Sequence, residues 1–257
     1  MADLKVQSNA SRPAMRVGRA LLARCAALLL LVACAGAAHA QSAVDLQLVL
    51  AVDVSGSVNQ ERFELQKQGY VAAFRNARVL QAIRSGPNQS IAVTMVQWTG
   101  PFLQFQVLPW TLVKDEASAQ AVAAAIETTS RRLASGGTSI SGAIDYSATL
   151  FAGSPFKAER RVIDVSGDGS NNRGRSVTQA RDEAVNAGIT INGLPILAFE
   201  TFLDRYYRDF VIGGPGAFMI AAESFDDFAD AVLKKMIIEI AGETPPAALA
   251  RIKPSNQ

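Results

Sequence analysis

Cysteine and histidine are almost missing from this chain. It has two cysteines, Cys25 and Cys34, and one histidine, His39, and all three fall within the first forty of its 257 residues. That stretch reads as a leader. Arg12, Arg16, Arg19 and Arg24 precede the apolar run Ala26 to Ala33, and Ala38-His39-Ala40 supplies the small residues that a signal peptidase reads. The run is shorter than the ~20 residues that a membrane-spanning helix needs. With residues 1–40 removed as a signal peptide, the remaining chain has neither Cys nor His. A Ser-His-Asp triad, a cysteine nucleophile, a histidine general base and zinc sites built on Cys or His are then excluded. Disulfides are excluded too, so stability must come from a core.

Charge is also scarce, at 19% of residues against 49% apolar, a balance that suits a packed core and not a disordered chain. The leader takes five basic residues and one acid with it, which turns 25 basic and 23 acidic residues into 20 and 22 and leaves a net charge of −2. A nucleic-acid-binding surface loses its support. Export to the periplasm or the medium is the expected destination, with Met15 as an alternative start that gives a leader of ordinary length. A second processing reading stays open. Leu31-Val32-Ala33-Cys34 resembles a bacterial lipobox, in which Cys34 is lipidated and the chain remains tethered to a membrane in the envelope.

What is present is an alternation of apolar strands and helical stretches. Val44 to Val52 is a nearly continuous apolar run, the pattern of a strand buried on both faces of a mostly parallel sheet. A helix is expected from Asn59 to Ala77, strands over Ile91–Trp98 and, less regularly, Phe102–Val113 with Pro109, and helices over Ala117–Leu133 and Ser141–Phe151. Further on come a strand Arg161–Ser166, a helix Val177–Ala187, strands Ile189–Leu194 and Phe218–Ala221, and a final helix Phe225–Ile240. The pattern predicts an α/β fold, a doubly wound and mostly parallel central sheet with helices on both faces, over residues 41–241. Residues 242–257, with Pro245 and Pro246, read as a flexible tail.

In open α/β sheets ligands sit beyond the carboxyl ends of the strands, where the winding reverses. Asp53-Val54-Ser55-Gly56-Ser57 ends the first strand and sets one carboxylate and two hydroxyls at alternate positions. Mg²⁺ takes oxygen ligands and keeps several waters, so a protein need supply only a few. Ser135-Gly136-Gly137-Thr138-Ser139 presents hydroxyls before a helix, and Gly167-Asp168-Gly169 follows a later strand. Asp-Val-Ser-Gly occurs twice, at 53–56 and 164–167; if those two strands are neighbours, Asp168 shares a crevice with Asp53. Asp164, inside its strand, reads as a buried structural carboxylate, Asn171 and Asn172 as turn formers, Trp98 and Trp110 as core or rim packing, and Asp204 to Asp209 as a solvated face.

D-x-S-x-S after the first strand, a Thr in a Gly-rich loop and an Asp-Gly after a later strand together resemble the metal-ion-dependent adhesion site of von Willebrand factor type A domains. Residues 44–241 also resemble an exported bacterial von Willebrand A-like family of unknown function, on the stretches Gly137–Ala143, Ser166–Asn172, Gly188–Pro195 and Val211–Ala217. The resemblance implies metal residues Asp53, Ser55, Ser57, Thr138 and Asp168, with the serines binding directly, Thr138 directly or through water, and the aspartates largely through water. The cation is Mg²⁺ in the first instance, with Mn²⁺ and Ca²⁺ as alternatives. An acidic side chain of a protein partner is expected to fill the open coordination position. Gly167 departs from the pattern, since many such domains carry Thr there.

The expected function is thus an exported protein-binding module, not an enzyme. Two alternatives stand beside it: a metal-dependent phosphoryl hydrolase with Asp53 as nucleophile, and a structural envelope protein with an empty site. The hydrolase fits less well, because aspartyl phosphatases place a second Asp where this chain has Ser55, and no histidine is at hand as a general acid.

Overall fold

The computed structural model describes Met1 and residues 41–132 and 135–242. The expected leader with Cys34, residue Leu133, and the tail beyond Gly242 lie outside the described residues. Five strands form the sheet: β1 (Leu46–Asp53), β2 (Ile91–Trp98), β3 (Gln104–Val113), β4 (Arg160–Gly167) and β5 (Thr190–Pro195). The helices are α1 (Gln60–Arg75), α2 (Ala77–Arg84), α3 (Glu116–Glu127), α4 (Ile140–Leu150), α5 (Val177–Asn186), α6 (Leu203–Tyr206), which runs on as one π-helical turn over Tyr207–Val211, and α7 (Phe228–Ala241). The strand order is β3-β2-β1-β4-β5, parallel throughout except for β3, which pairs antiparallel with β2 at the edge.

β1 shows why the sheet is covered on both sides. Every residue of it is buried, and Leu46, Leu48, Leu50 and Val52 enter one core while Val49 and Ala51 enter the other, the two-residue period of a strand. The first core is closed by residues of α1, α2, α3 and α7, among them Tyr70, Phe74, Ile83, Val122, Phe228 and Met236. The second is closed by α4, α5 and the α6 region, through Ile144, Ala180, Leu203 and Tyr207. Two helical layers thus sandwich the sheet, as the alternating sequence pattern implies.

Several expected boundaries shift for local reasons. The helix expected from Asn59 to Ala77 stops at Arg75, because Asn76 turns extended and caps a further helix, α2, its side chain accepting the Arg78 amide at 2.9 Å. The Ala-rich helix ends at Glu127 instead of reaching residue 133, and residues 129–132 run irregularly toward the site. In place of a regular strand, Phe218 to Ala222 makes only isolated parallel bridges beside β5. The register of β3 shifts between Val93 and Val96, which accommodates the exposed Pro109 on an edge where no amide is needed from it. The segment from Asp204 to Asp209 is not uniformly solvated, since Asp204 and Tyr207 are buried. No helix among the described residues is long and apolar enough to cross a membrane.

The two Asp-Val-Ser-Gly strands are neighbours, but their motifs are out of step. Asp164 pairs with Leu50, three residues short of the strand end, and Val52 pairs with Ser166. Asp164 therefore points into the first core, where the fully buried Lys235 of α7 meets it at 2.7 Å and Glu239 at 3.0 Å. Asn192 of β5 donates to Glu239 Oε1 at 2.7 Å and accepts the Phe218 amide at 2.9 Å, so the network ties α7 to the sheet. Burial, opposed by Lys235, raises the Asp164 pKa to about 7. Removing the buried cation between Asp164 and Glu239 leaves two carboxylates without their direct ion-pair partner. Lys235→Met is expected to lower the unfolding free energy by about 3–5 kcal/mol in urea denaturation; a loss below about 1 kcal/mol would show that the carboxylates simply take up protons.

Candidate metal centre

The winding of the chain reverses at β1: the path runs outward through β2 and β3, then returns to place β4 on the other side of β1. The carboxyl ends of β1 and β4 therefore open a crevice, the position where such sheets bind ligands. Asp53 ends β1. Val54 and Val58, both fully buried, pin the following loop to the core, while the intervening Ser55 and Ser57 turn toward the crevice. The loop is held from within by the Ser55 amide donating to Asp53 Oδ1 at 2.7 Å and the Val58 amide donating to the Ser55 carbonyl at 3.1 Å. From outside, Gln66 Nε2 donates to the Asp53 carbonyl at 3.1 Å, Arg62 to that of Ser57 at 2.6 Å, and Arg131 to that of Ser55 at 2.9 Å.

The second loop turns on Gly136 and Gly137, whose φ values of 124° and 82° are open to glycine and strained for other residues. It is anchored by the Ser139 amide donating to the Thr99 carbonyl at 2.7 Å, and Ser139 then caps α4 by accepting the Gly142 amide at 3.1 Å. The third loop, after β4, carries Asp168 and braces the second. Asn172 Oδ1 accepts the Thr138 amide at 2.9 Å, the Asn172 amide donates back to the Thr138 carbonyl at 2.9 Å, and Asn171 Oδ1 accepts the Ser141 amide at 3.0 Å. The two asparagines, expected to be turn formers, thus lock the Thr138 loop to the Asp168 loop. Nothing in a single Asn-Asn pair announces that role, because the partner amides lie about thirty residues away.

The three loops converge. Ser55, Ser57, Thr138 and Asp168 line one cleft of about 390 Å³, together with Gly169, Asn172, Phe199 and Glu200. Ser57 Oγ donates to Asp168 Oδ1 at 2.6 Å and lies 3.2 Å from Ser55 Oγ, so the first and third loops touch. Asp53 does not line the cleft; it lies beneath it, with no exposed surface. Asp53 Oδ2 and Asp168 Oδ2 are both buried without a hydrogen-bond partner, an arrangement that costs free energy unless charge or a donor reaches them. Burial first, and the Asp168 charge second, raise the Asp53 pKa from 3.8 to about 7. Burial also raises Asp168, against the Ser57 hydroxyl and the Arg62 guanidinium.

Those orphaned oxygens test whether the residues suit a cation, and they do. Two carboxylates held together out of water call for positive charge, and the other donors are neutral hydroxyls. Among the described residues no three of His, Cys, Asp and Glu gather as a ligand group, so serine and threonine must complete the set. Oxygen alone suits a hard ion such as Mg²⁺, Mn²⁺ or Ca²⁺.

Comparison with solved structures places this architecture in a class, the von Willebrand factor type A fold. At a TM-score of 0.56 and 15% identity the chain matches proximal thread matrix protein 1 from the mussel byssus, over 78% of its own length and 49% of the mussel protein's. A further structure of that protein is described as having a zinc-occupied MIDAS motif. The pilus adhesin SpaC of Lactobacillus rhamnosus GG gives 0.56 and 15% over 77% and 31%, and a von Willebrand factor type A protein from Catenulispora acidiphila 0.50 and 16% over 77% and 43%. The chain spans less than half the length of each. No functionally curated protein matches it. The family model described as "Protein of unknown function (DUF1194)" matches residues 43–244, and the chain belongs to that family.

The Asp53 pKa has a consequence for stability. The folded value lies above the unfolded one, so between about pH 4 and pH 7 the metal-free folded protein holds a proton that the unfolded chain has released, and stability falls as pH rises through that window. Urea midpoints in the presence of chelator at about pH 5 and about pH 7.5 are expected to show a decline in the wild type that is smaller in Asp53→Asn. Equal declines would mean that Asp53 titrates like any solvated carboxylate.

Proposed function

We propose that this chain is an exported protein-binding module in which Asp53, Ser55, Ser57, Thr138 and Asp168 hold a divalent cation, Mg²⁺ by preference, that engages an acidic side chain of a protein partner. One observation carries the proposal: three loops distant in sequence converge on one cleft, two of them bringing hydroxyls and the third Asp168, beside the buried Asp53, and each of the two carboxylates keeps an oxygen without a partner. When bound, the cation would supply a Lewis-acidic position for a carboxylate. The residues of the chain hold that position and shape what can approach it.

The rim favours a protein as the partner. Phe199 lines the cleft and is exposed, with the Arg62 guanidinium 4.5 Å from its ring centroid. Phe202 is exposed two residues beyond Glu200, and on the opposite lip the exposed Leu103 underlies Gly136 next to the exposed Phe102. Exposed aromatic side chains and arginines are the residues on which protein interfaces concentrate their binding energy. That one protein of this fold has zinc in its motif and another is a pilus adhesin agrees with this reading. In the same reading residues 1–40 are the export signal, or the lipoprotein signal ending before Cys34, and residues 41–241 are the domain.

The hydrolase alternative meets a steric objection. A nucleophile must touch the phosphoryl group, whereas Asp53 lies under its own loop with no exposed surface and does not line the cleft. We therefore infer a module that is not an enzyme.

Saturating Mg²⁺ or Mn²⁺, at about a hundred times its Kd, is expected to raise the thermal midpoint of the purified protein by about 5–10 °C. The double substitution Ser55→Ala and Ser57→Ala should abolish the shift. Identical midpoints with cation and with chelator would leave the structural envelope protein with an empty site as the surviving account. Turnover of a phosphate ester that disappears in Asp53→Asn would reinstate the hydrolase.

A further inference from the structure

One polar group beside the cleft has no role so far. The hydroxyl of Tyr207 is buried and has no hydrogen-bond partner, although a buried phenol normally finds one. Its location is fixed by two glycines. A Cβ placed on Gly193 would stand 2.6 Å from Tyr207 Cδ1, so the ring lies against bare backbone there. A Cβ placed on Gly167 would stand 3.0 Å from the Tyr207 hydroxyl and also 3.0 Å from Asp53 Oδ2. The two orphaned oxygens thus face the same small space and are at most about 6 Å apart. Gly193 pairs with Val165, two residues before Gly167, so both glycines lie on one face of adjacent strands and form a trough that the ring fills.

Resting on the metal reading above, we propose that Tyr207 is a positioning residue for the candidate metal centre: its hydroxyl, and not a side chain at 167, is the donor that holds Asp53 Oδ2 in place through one bridging water. The chemistry suits the task. Burial, and after it the negative charges of Asp53 and Asp168, raise the phenol well above its ordinary pKa, so it keeps its proton and can only donate toward an ionised carboxylate. The backbone suits it as well. Tyr207 begins the π-helical turn, and the Ile212 amide donates to its carbonyl at 2.9 Å, a wide turn of a kind found often at functional sites. Groups that orient ligands from behind typically contribute 10–100-fold to metal affinity.

The test uses the full chain, expressed with its leader and purified, titrated with Mn²⁺ and with Mg²⁺ by calorimetry and by thermal midpoint. Tyr207→Phe keeps the ring and removes only the hydroxyl, so its metal-free midpoint should equal or exceed that of the wild type while cation affinity falls about tenfold or more. Adding Gly167→Ser to Tyr207→Phe returns a hydroxyl to the same space and should restore most of the affinity. Gly167→Ser with Tyr207 intact crowds the two oxygens and should not improve on the wild type. Unchanged affinity in Tyr207→Phe, or a folded double variant that recovers nothing, overturns this assignment alone. A wild type that takes up no cation overturns both this assignment and the metal reading.

Discussion

Two like charges are held out of water at the ends of adjacent strands, and the surroundings of the cleft are organised by that juxtaposition. Asp53 and Asp168 sit together because β1 and β4 are neighbours at the point where the winding reverses, a placement that no loop could achieve alone. Each keeps one oxygen without a partner. The metal-free fold meets this electrostatic cost by raising both pKa values, and a small cation would relieve it more completely. The arginines nearby compensate the pair only in part: Arg62 and Arg131 spend hydrogen bonds on loop carbonyls, which fixes the loop, and the Arg62 charge opposes but does not cancel the effect of burial on Asp168.

Rigidity around the pair comes from cross-braces between loops that are distant in sequence. Asn171 and Asn172 tie the Asp168 loop to the start of α4, Ser139 ties that start to Thr99 at the end of β2, and Val54 and Val58 nail the first loop into the core. A site built this way holds its shape before anything binds, which reduces the ordering cost that binding would otherwise carry. On the far side of the sheet from Tyr207, the Lys235–Asp164–Glu239 network fastens α7 across β4 and β5, so the strand that delivers Asp168 is held from behind as well.

How much of this was legible in the sequence depended on the range of the interaction involved. The Asp53-x-Ser55-x-Ser57 motif, the Gly-Gly turn before Thr138 and the strand over Arg161–Ser166 were readable because each is a local pattern with a local cause: an apolar run that stops, a pair of glycines that makes a turn, hydroxyls just before a helix. The winding followed from the alternation of those elements. The division of Asn59–Ala77 into a helix and a second helix was missed because Asn76 looks like an ordinary polar residue until its extended backbone is seen. The doubled Asp-Val-Ser-Gly pointed to two strands that do prove to be neighbours, with Asp164 inside its strand as read, but the offset that sets Asp164 against Leu50 was not legible, because register is a property of two strands that neither one contains. Tyr207, Asn171 and Asn172 were read as surface or turn residues because their partners are reached only through the third dimension. Gly167, noted as a departure from the resembling domains, makes sense only once the Tyr207 hydroxyl is seen in the space it leaves.

The sheet closes on one side with β3, a strand whose outer amides and carbonyls have no neighbour in the sheet. Such a border is an invitation to stack copies into ribbons. Here Pro109 lacks the amide that a visiting strand would need, and the two register shifts opposite Met95 bend the border out of line. Phe102 and Phe105 are thus displayed beside a border that resists strand-by-strand addition, so these sticky side chains can be exposed there without recruiting further strands to the sheet.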